Sequence, residues 1–437
     1  MDKDVPTIAV LGASGLIGGA VAQHLLAIGV PVLAVARRFT AAQKAAFGAG
    51  AVETPVVALD PPALRQVLAK ADIVINCIGV LQDGPRGDTA DVHSGFVARL
   101  LEALAATGAL LIHLSIPGSS DGDATSFSRS KRAAEGAIAA GAVPSVILRP
   151  GMVIAPGAYG GSALIRALAV LPFDLSRREA GRPFAVTAIG DLARTVVLVV
   201  TRWRAGARSW HVVWDVMALE PSTVGDVLDG FRKRLGGPVA RLVLPSWIMT
   251  LGARLGDFAS VPGWAPPIRS TALREMRRGV EGDPAGWIAA TGIRPASLSE
   301  ILQALPVTIQ ETWFARLYLA KALIVVTLVM FWDVSAVIAL SAFGAAAAIL
   351  TAHGFALWQA NAVTLVSSLA DMSVGIAIAF RRTARRGLMA GIGLSLFYMA
   401  SAAVITPELW LEPLGALVKT GPAIVLMLAA LAILEDR

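Results

Sequence analysis

Short apolar runs rich in β-branched residues alternate with stretches of helical periodicity over the first third of the chain. Residues 7–11, 32–36, 56–59, 73–78, 110–114 and 145–148 predict strands covered on both faces, because a strand with one wet face would alternate polar and apolar positions. Residues 16–28, 62–69, 96–106 and 131–140 predict helices, the second opened by Asp60 as N-cap with Pro61 in its first turn. Such alternation predicts an α/β architecture with a doubly wound parallel sheet. From residue 313 the pattern changes. Runs 314–340, 357–380, 388–405 and 420–434 reach or approach the roughly 20 apolar residues of a membrane span, which predicts an all-α transmembrane four-helix bundle. The apolar connection 341–355 is ambiguous between a fifth span, a re-entrant hairpin and an interfacial helix.

Composition supports this division. The 437 residues are 55% hydrophobic and only 16% charged, whereas soluble chains carry about 25% charged residues. The pattern divides the chain at 1–150, 151–312 and 313–437. The acid-rich start Met1 to Asp4 and the short apolar run 7–11 do not form a signal peptide, which predicts a cytoplasmic N-terminal domain. The most basic short loop of the apolar third carries Arg381, Arg382, Arg385 and Arg386, and such loops stay on the cytoplasmic side. Two spans before it satisfy this rule, so 341–355 is not expected to cross. The expected location is the plasma (inner) membrane of a bacterial-type cell.

The single cysteine, Cys77, excludes an internal disulfide, a CxxC pair and a thiolate metal cluster, and reads as a small buried apolar residue. No metal site is expected. The net charge of +7 is concentrated in Arg232, Lys233, Arg234 and in Arg269, Arg274, Arg277, Arg278. These clusters lack the aromatic interleaving of a nucleic-acid surface; an anionic leaflet and a plain solvated helix face are both open readings. Lys321, Asp333 and Asp371 fall within or beside apolar runs, where ionisable groups are costly. Lys321 is expected to snorkel, and Asp371 is the candidate for an interior role.

The first predicted strand runs into Gly12-Ala13-Ser14-Gly15-Leu16-Ile17-Gly18, which opens a helix. Gly12 suits a tight turn, Gly15 lets the backbone approach a pyrophosphate, and Gly18 lets helix and strand pack closely, while the free N–H groups of Leu16 and Ile17 face the phosphates. The second strand ends in Arg37 and Arg38, where an acid would hold a ribose 2′-hydroxyl. Two guanidiniums there suit a 2′-phosphate, favouring NADP(H) over NAD(H).

Over roughly residues 5 to 305 the chain resembles an extended or atypical short-chain dehydrogenase/reductase. Beyond the glycine turn, the resemblance rests on Leu59-Asp60, Asn76-Cys77-Ile78-Gly79, Ser115, Leu148-Arg149-Pro150-Gly151 and Ala185–Ala193 with Asp191. It implies that Asp60 lies near the adenine, that Ile78, Gly79 and Pro150 line the cofactor, that Ser115 is catalytic, and that residues 151–306 supply a substrate lobe. The terminal Gly292 to Leu302 stretch resembles the end of that lobe. The family's YxxxK helix corresponds to Phe127-Ser128-Arg129-Ser130-Lys131. Lysine is kept and tyrosine is lost, and a phenyl ring has no proton to exchange. Of Tyr159, Tyr318 and Tyr398, only Tyr159 precedes the apolar third. His113, near Ser115, reads as a core histidine before a replacement acid.

From Trp313 onward the chain resembles the DoxX-like membrane family, most clearly at Trp410-Leu411-Glu412-Pro413-Leu414-Gly415 through Lys419 and Pro422. Two functions stay open. One is a non-catalytic nucleotide-binding protein with an assembly or sensor role at a membrane complex, similar to the branch containing the nucleotide-binding accessory subunit of respiratory complex I. The other is an NADPH-dependent oxidoreductase or epimerase-like enzyme acting on a lipophilic substrate such as a quinone.

Overall fold

The computed structural model describes residues 7–84, 88–411, 415 and 417–434. Met1 to Asp4 and Glu412, Pro413 and Leu414 of the DoxX-like motif lie outside the described residues. The chain divides into two compact units, one of 1–258 with 266–315 and one of 259–265 with 316–437.

In the first unit β1 (Ile8–Leu11), β2 (Val32–Ala36), β3 (Ala51–Glu53), β4 (Ile73–Asn76), β5 (Leu110–Leu114), β6 (Ser145–Pro150) and the strand His211–Val216 form one parallel sheet. Its order is His211–Val216, β6, β5, β4, β1, β2, β3. Ile8 registers with Val32 on one side and Ile73 on the other, so the order reverses at β1. Every residue of β1, β4 and β5 is buried, as expected for strands covered on both faces.

One face is closed by α1 (Leu16–Ala27) and Ile189–Arg204 around Val21, Leu25, Val196 and Trp203. The other is closed by α3 (Pro61–Val67), α4 (Phe96–Leu104) and α5 (Ser126–Ala140), around Leu64, Phe96, Leu100 and Ile138. The short α2 (Ala41–Phe47) lies between β2 and β3.

Three local expectations are corrected. The third strand is Ala51–Glu53, paired with Ala34–Ala36, while Val56–Ala58 after Pro55 forms a 3-10 turn. Helix α5 begins at Ser126 rather than Lys131, because Thr125 accepts from the Ser128 N–H and the Ser128 side chain returns to the Thr125 N–H. The edge strand His211–Val216 joins the sheet through β6 and was not predicted.

Residues after β6 build a smaller lobe from the strand pairs Met152–Ile154 with Val186–Ala188 and Phe173–Leu175 with Leu242–Leu244. Helices Gly161–Ala169, Val224–Leu235 and Ser246–Ser260 pack there around Val227, Phe231, Met249 and Ala253.

Among the described residues three helices are long and apolar enough to cross a membrane: Ile309–Ser341, which enters the second unit at Arg316, and Leu357–Ala379 and Ala384–Ile405 within it. The expected fourth span is Thr420–Ile433, whose 14 residues reach only about 21 Å against a hydrocarbon core of about 30 Å. The ambiguous connection forms Phe343–Ala352, also too short to cross. Trp332, Val374, Leu388 and Met427 form the common core. Lys321 and Arg381 both donate to the Leu434 carbonyl, so Lys321 caps a helix end. Asp371 accepts from the Tyr398 hydroxyl at 2.8 Å.

Candidate nucleotide and catalytic site

The predicted site residues gather at the carboxyl ends of the parallel strands, where the sheet order reverses. Gly12 follows β1 with φ +80°, a conformation that excludes most side chains. A Cβ on Gly12 would lie 3.2 Å from the Cys77 carbonyl, and one on Gly18 would overlap the Gly12 carbonyl. Gly15 is exposed and caps α1 without a side-chain hydrogen bond, leaving the first amides, Leu16 and Ile17 among them, available to an anion. Beside it, Ser14 accepts at its carbonyl from the Gln43 amide, which ties α2 to the turn.

Arg37 and Arg38 are exposed just beyond β2. An acid does stand near them, on the neighbouring strand. Glu53 accepts from the Phe39 N–H at 2.8 Å and from Lys44 at 2.8 Å. The Lys44 hydrogen bond, then the Phe39 amide, holds its carboxyl below the usual range. Asp60 caps α3 by accepting from the Ala63 N–H.

The β4 and β5 ends carry the buried part of the site. Asn76 is oriented by accepting from the Ile78 N–H, so its amide donates to His113 Nδ1 at 3.2 Å. His113 Nε2 then carries the proton and has no hydrogen-bond partner among the described residues. Burial, then the Lys131 charge, drives the His113 ring well below its usual range, so it is neutral. Ser115 follows β5, its N–H donating to the Leu148 carbonyl and its buried hydroxyl lying beside the Glu135 carboxylate.

Lys131 is buried and donates to the Leu114 carbonyl at 2.8 Å, and burial pushes its ammonium down to about 8. A Cβ on Gly79 would lie 3.5 Å from Lys131 Nζ and 3.4 Å from His93 Nε2. Phe127 meets the His93 ring edge-on at 5.5 Å. The structure thus sets Gly12 against Ile78, and Gly79 against Lys131 and His93, the residue whose ring meets Phe127.

His93 was missed by sequence reasoning. It lies on the π-helical turn Asp91–Gly95, an element frequent at functional sites. Its Nε2 accepts from the Val80 N–H at 3.1 Å, and its Nδ1 donates to Ser130, whose hydroxyl donates to the Phe127 carbonyl. Burial, then Lys131, lowers the ring to about 3. Tyr159 is exposed on a later loop.

Behind the site Arg149 forks onto Glu135, which Arg132 also contacts. Burial would raise the Glu135 carboxyl, but Arg149, the Ser115 hydroxyl and Arg132 together hold it low. Pro150 is buried at the end of β6, and Gly151 donates to Thr187. Cys77 packs against the core, and burial pushes its thiol up to about 12, the behaviour of a structural residue.

The basic clusters are tied into the lobe. Arg232 pairs with Asp229, Arg234 donates to Gln303 and Leu305, Arg269 pairs with Asp257, Arg277 with Glu179, and Arg278 with Asp123. Only Lys233 and Arg274 of the two clusters are exposed. A continuous free basic face does not form.

A doubly wound parallel sheet with this glycine turn defines a Rossmann domain of the short-chain dehydrogenase/reductase type. Residues 8–207 match the NAD dependent epimerase/dehydratase family, and residues 329–428 match the DoxX-like family. The chain therefore joins an epimerase/dehydratase-type Rossmann domain to a DoxX-like helical domain.

Among solved structures it is similar to UDP-glucuronic acid 4-epimerase from Bacillus cereus in complex with NAD, with 16% identity, 71% of this chain and 99% of that chain covered, and a TM-score of 0.51. The NAD dependent NDP-hexosamine 5,6-dehydratase TunA, involved in tunicamycin biosynthesis, matches at 17% identity, 71% and 98% coverage, and TM-score 0.51. Pal from Bacillus thuringiensis matches at 14% identity, 71% and 99% coverage, and TM-score 0.51. At these identities the likeness is one of fold. No curated protein matches the chain.

Proposed function

We propose that this protein is a membrane-anchored NADP(H)-binding member of the short-chain dehydrogenase/reductase type that retains nucleotide binding and has lost proton transfer. It serves an assembly or sensor role at a membrane complex, its nucleotide domain on the cytoplasmic side of a bacterial-type inner membrane. The observation that carries this reading is the phenyl ring of Phe127 one helical turn before Lys131, against the His93 imidazole, which is held neutral as His113 also is. A general acid needs a proton it can release near neutral pH, and neither histidine carries one in that range.

The nucleotide fits the residues present. The crowding at Gly12 and Gly18 leaves a close backbone cradle, and Glu53 is already engaged by Phe39 and Lys44, leaving Arg37 and Arg38 to meet a 2′-phosphate. A bound nicotinamide would supply hydride chemistry. Lys131 would hold its ribose and Gly79 would line the cofactor, as the resemblance implies.

One observation favours a second reading, an oxidoreductase or epimerase-like enzyme acting on a lipophilic substrate such as a quinone: Ser115 is kept at the end of β5, its hydroxyl buried beside the Glu135 carboxylate. The test is NADPH binding and oxidation by the purified full chain against quinones and aldehydes. Retained NADPH without turnover is expected. Rapid turnover that is indifferent to Phe127→Tyr and abolished by Ser115→Ala would replace the first reading with the second.

A further inference from the structure

Helix Ser246–Ser260 is apolar on two opposite sides. Met249, Ala253 and Gly256 are buried in the lobe, and the Gly256 backbone packs directly on the Ile268 carbonyl. The opposite side carries Trp247, Ile248, Leu251, Leu255 and Phe258, exposed by 65%, 36%, 48%, 59% and 75%. At 3.6 residues per turn these five fall within an arc of about 100°. Arg254 is exposed at the edge of that arc, and Leu242, Val243 and Val261 extend the apolar surface beyond both ends of the helix. An apolar stripe of this size is more than scattered exposure; it marks a surface that another apolar phase covers.

The chain itself indicates which phase. The segment directly after Phe258, residues 259–265, belongs to the membrane unit. Within that unit the Trp264 indole N–H donates to the Ala379 carbonyl at 2.7 Å, the Arg381 N–H donates to Pro262 at 3.0 Å, and the Arg381 guanidinium stands 5.6 Å from the centre of the Trp264 ring. Ala379 ends the span Leu357–Ala379, so this segment is fastened at the membrane face that bears Arg381, Arg382, Arg385 and Arg386. Six Cα–Cα steps separate Phe258 from Trp264, and an extended chain covers at most about 21 Å over that distance. The apolar stripe is thereby tethered within reach of the bilayer surface.

We propose that helix Ser246–Ser260 is an interfacial anchor, lying in the plane of the leaflet with Trp247, Leu251, Leu255 and Phe258 sunk among the acyl chains. Arg254 reaches the phosphates from its flank, and Trp247 takes the headgroup level. This goes beyond the nucleotide reading and is independent of it.

The test is site-directed spin labelling of the full chain in nanodiscs of phosphatidylcholine with phosphatidylglycerol, in a Cys77→Ala background. Labels are placed singly at Ile248, Leu251 and Phe258, so that loss of one variant leaves two. Val366, exposed on a membrane span, and Lys233, exposed on the lobe, serve as lipid and water references. At the three helix positions the ratio of oxygen to aqueous nickel-chelate accessibility should exceed that at Lys233 severalfold and approach that at Val366. Ratios equal to that at Lys233 overturn the proposal. So does shielding from both reagents, which would mean that a second copy or another protein covers the stripe.

Discussion

Lys131 places a cost in the core that its removal should reveal. Burial lowers its ammonium from 10.5 to about 8, and at roughly 1.4 kcal/mol per tenfold change the folded state disfavours the charged form by about 3 kcal/mol. Below pH 8 the penalty is fully present. As pH rises from 8 toward 10.5 the unfolded chain holds more protons than the fold, so this group's contribution to stability increases through that window.

Lys131→Met keeps the length of the side chain, removes the charge, and gives up the 2.8 Å bond to the Leu114 carbonyl, a loss of about 1 kcal/mol. The variant should be more stable than the parent by about 2 kcal/mol at pH 7, or about 4 °C in Tm for a domain of this size. It should lose that advantage by pH 10.5, where the parent is neutral and keeps its bond. Thermal unfolding of the nucleotide-free full chain in detergent at pH 7, 8.5 and 10 measures the crossing. A variant that melts at or below the parent temperature at pH 7, or a difference that does not change with pH, would refute the reasoning. The same variant should bind NADPH more weakly, the usual exchange of stability for function at a binding site.

Other outcomes follow from the site and the membrane unit. Gly18→Ala, whose Cβ would overlap the Gly12 carbonyl, should abolish measurable NADPH binding by calorimetry while the sheet still forms. In the parent NADPH should bind more tightly than NADH, and Arg37→Ala with Arg38→Ala should erase most of the difference, about 1 to 3 kcal/mol for charged hydrogen bonds; equal affinities in the parent would remove the basis for the preference. Phe127→Tyr should yield at most weak NADPH oxidation, measured at 340 nm, because a new hydroxyl one turn from Lys131 still lacks the rest of an evolved acid site. Reporter fusions after Arg386 should read as cytoplasmic and those after Glu408 as external; an external Arg386 fusion would mean that Phe343–Ala352 is part of a crossing.

Local signals determined much of this protein. Fully apolar β-branched runs locate β1, β2, β4, β5 and β6, because strands covered on both faces announce themselves without knowledge of their neighbours. The glycine turn is equally local, since positive φ at Gly12 and contact at Gly18 are demands of one short stretch of backbone.

What depends on distant partners was decided by the tertiary structure. Ala51–Glu53 is too short to show a period and is a strand only because β2 offers it an edge. His93 reaches the candidate site through a π turn that sets its ring against Val80 and Phe127, a register that helical periodicity does not encode. The arginine clusters read as free charge until Asp123, Glu179 and Asp257 arrive from elsewhere in the chain. The second apolar side of Ser246–Ser260 shows the same limit: composition makes a helix apolar, and only the packed lobe tells which side is already covered.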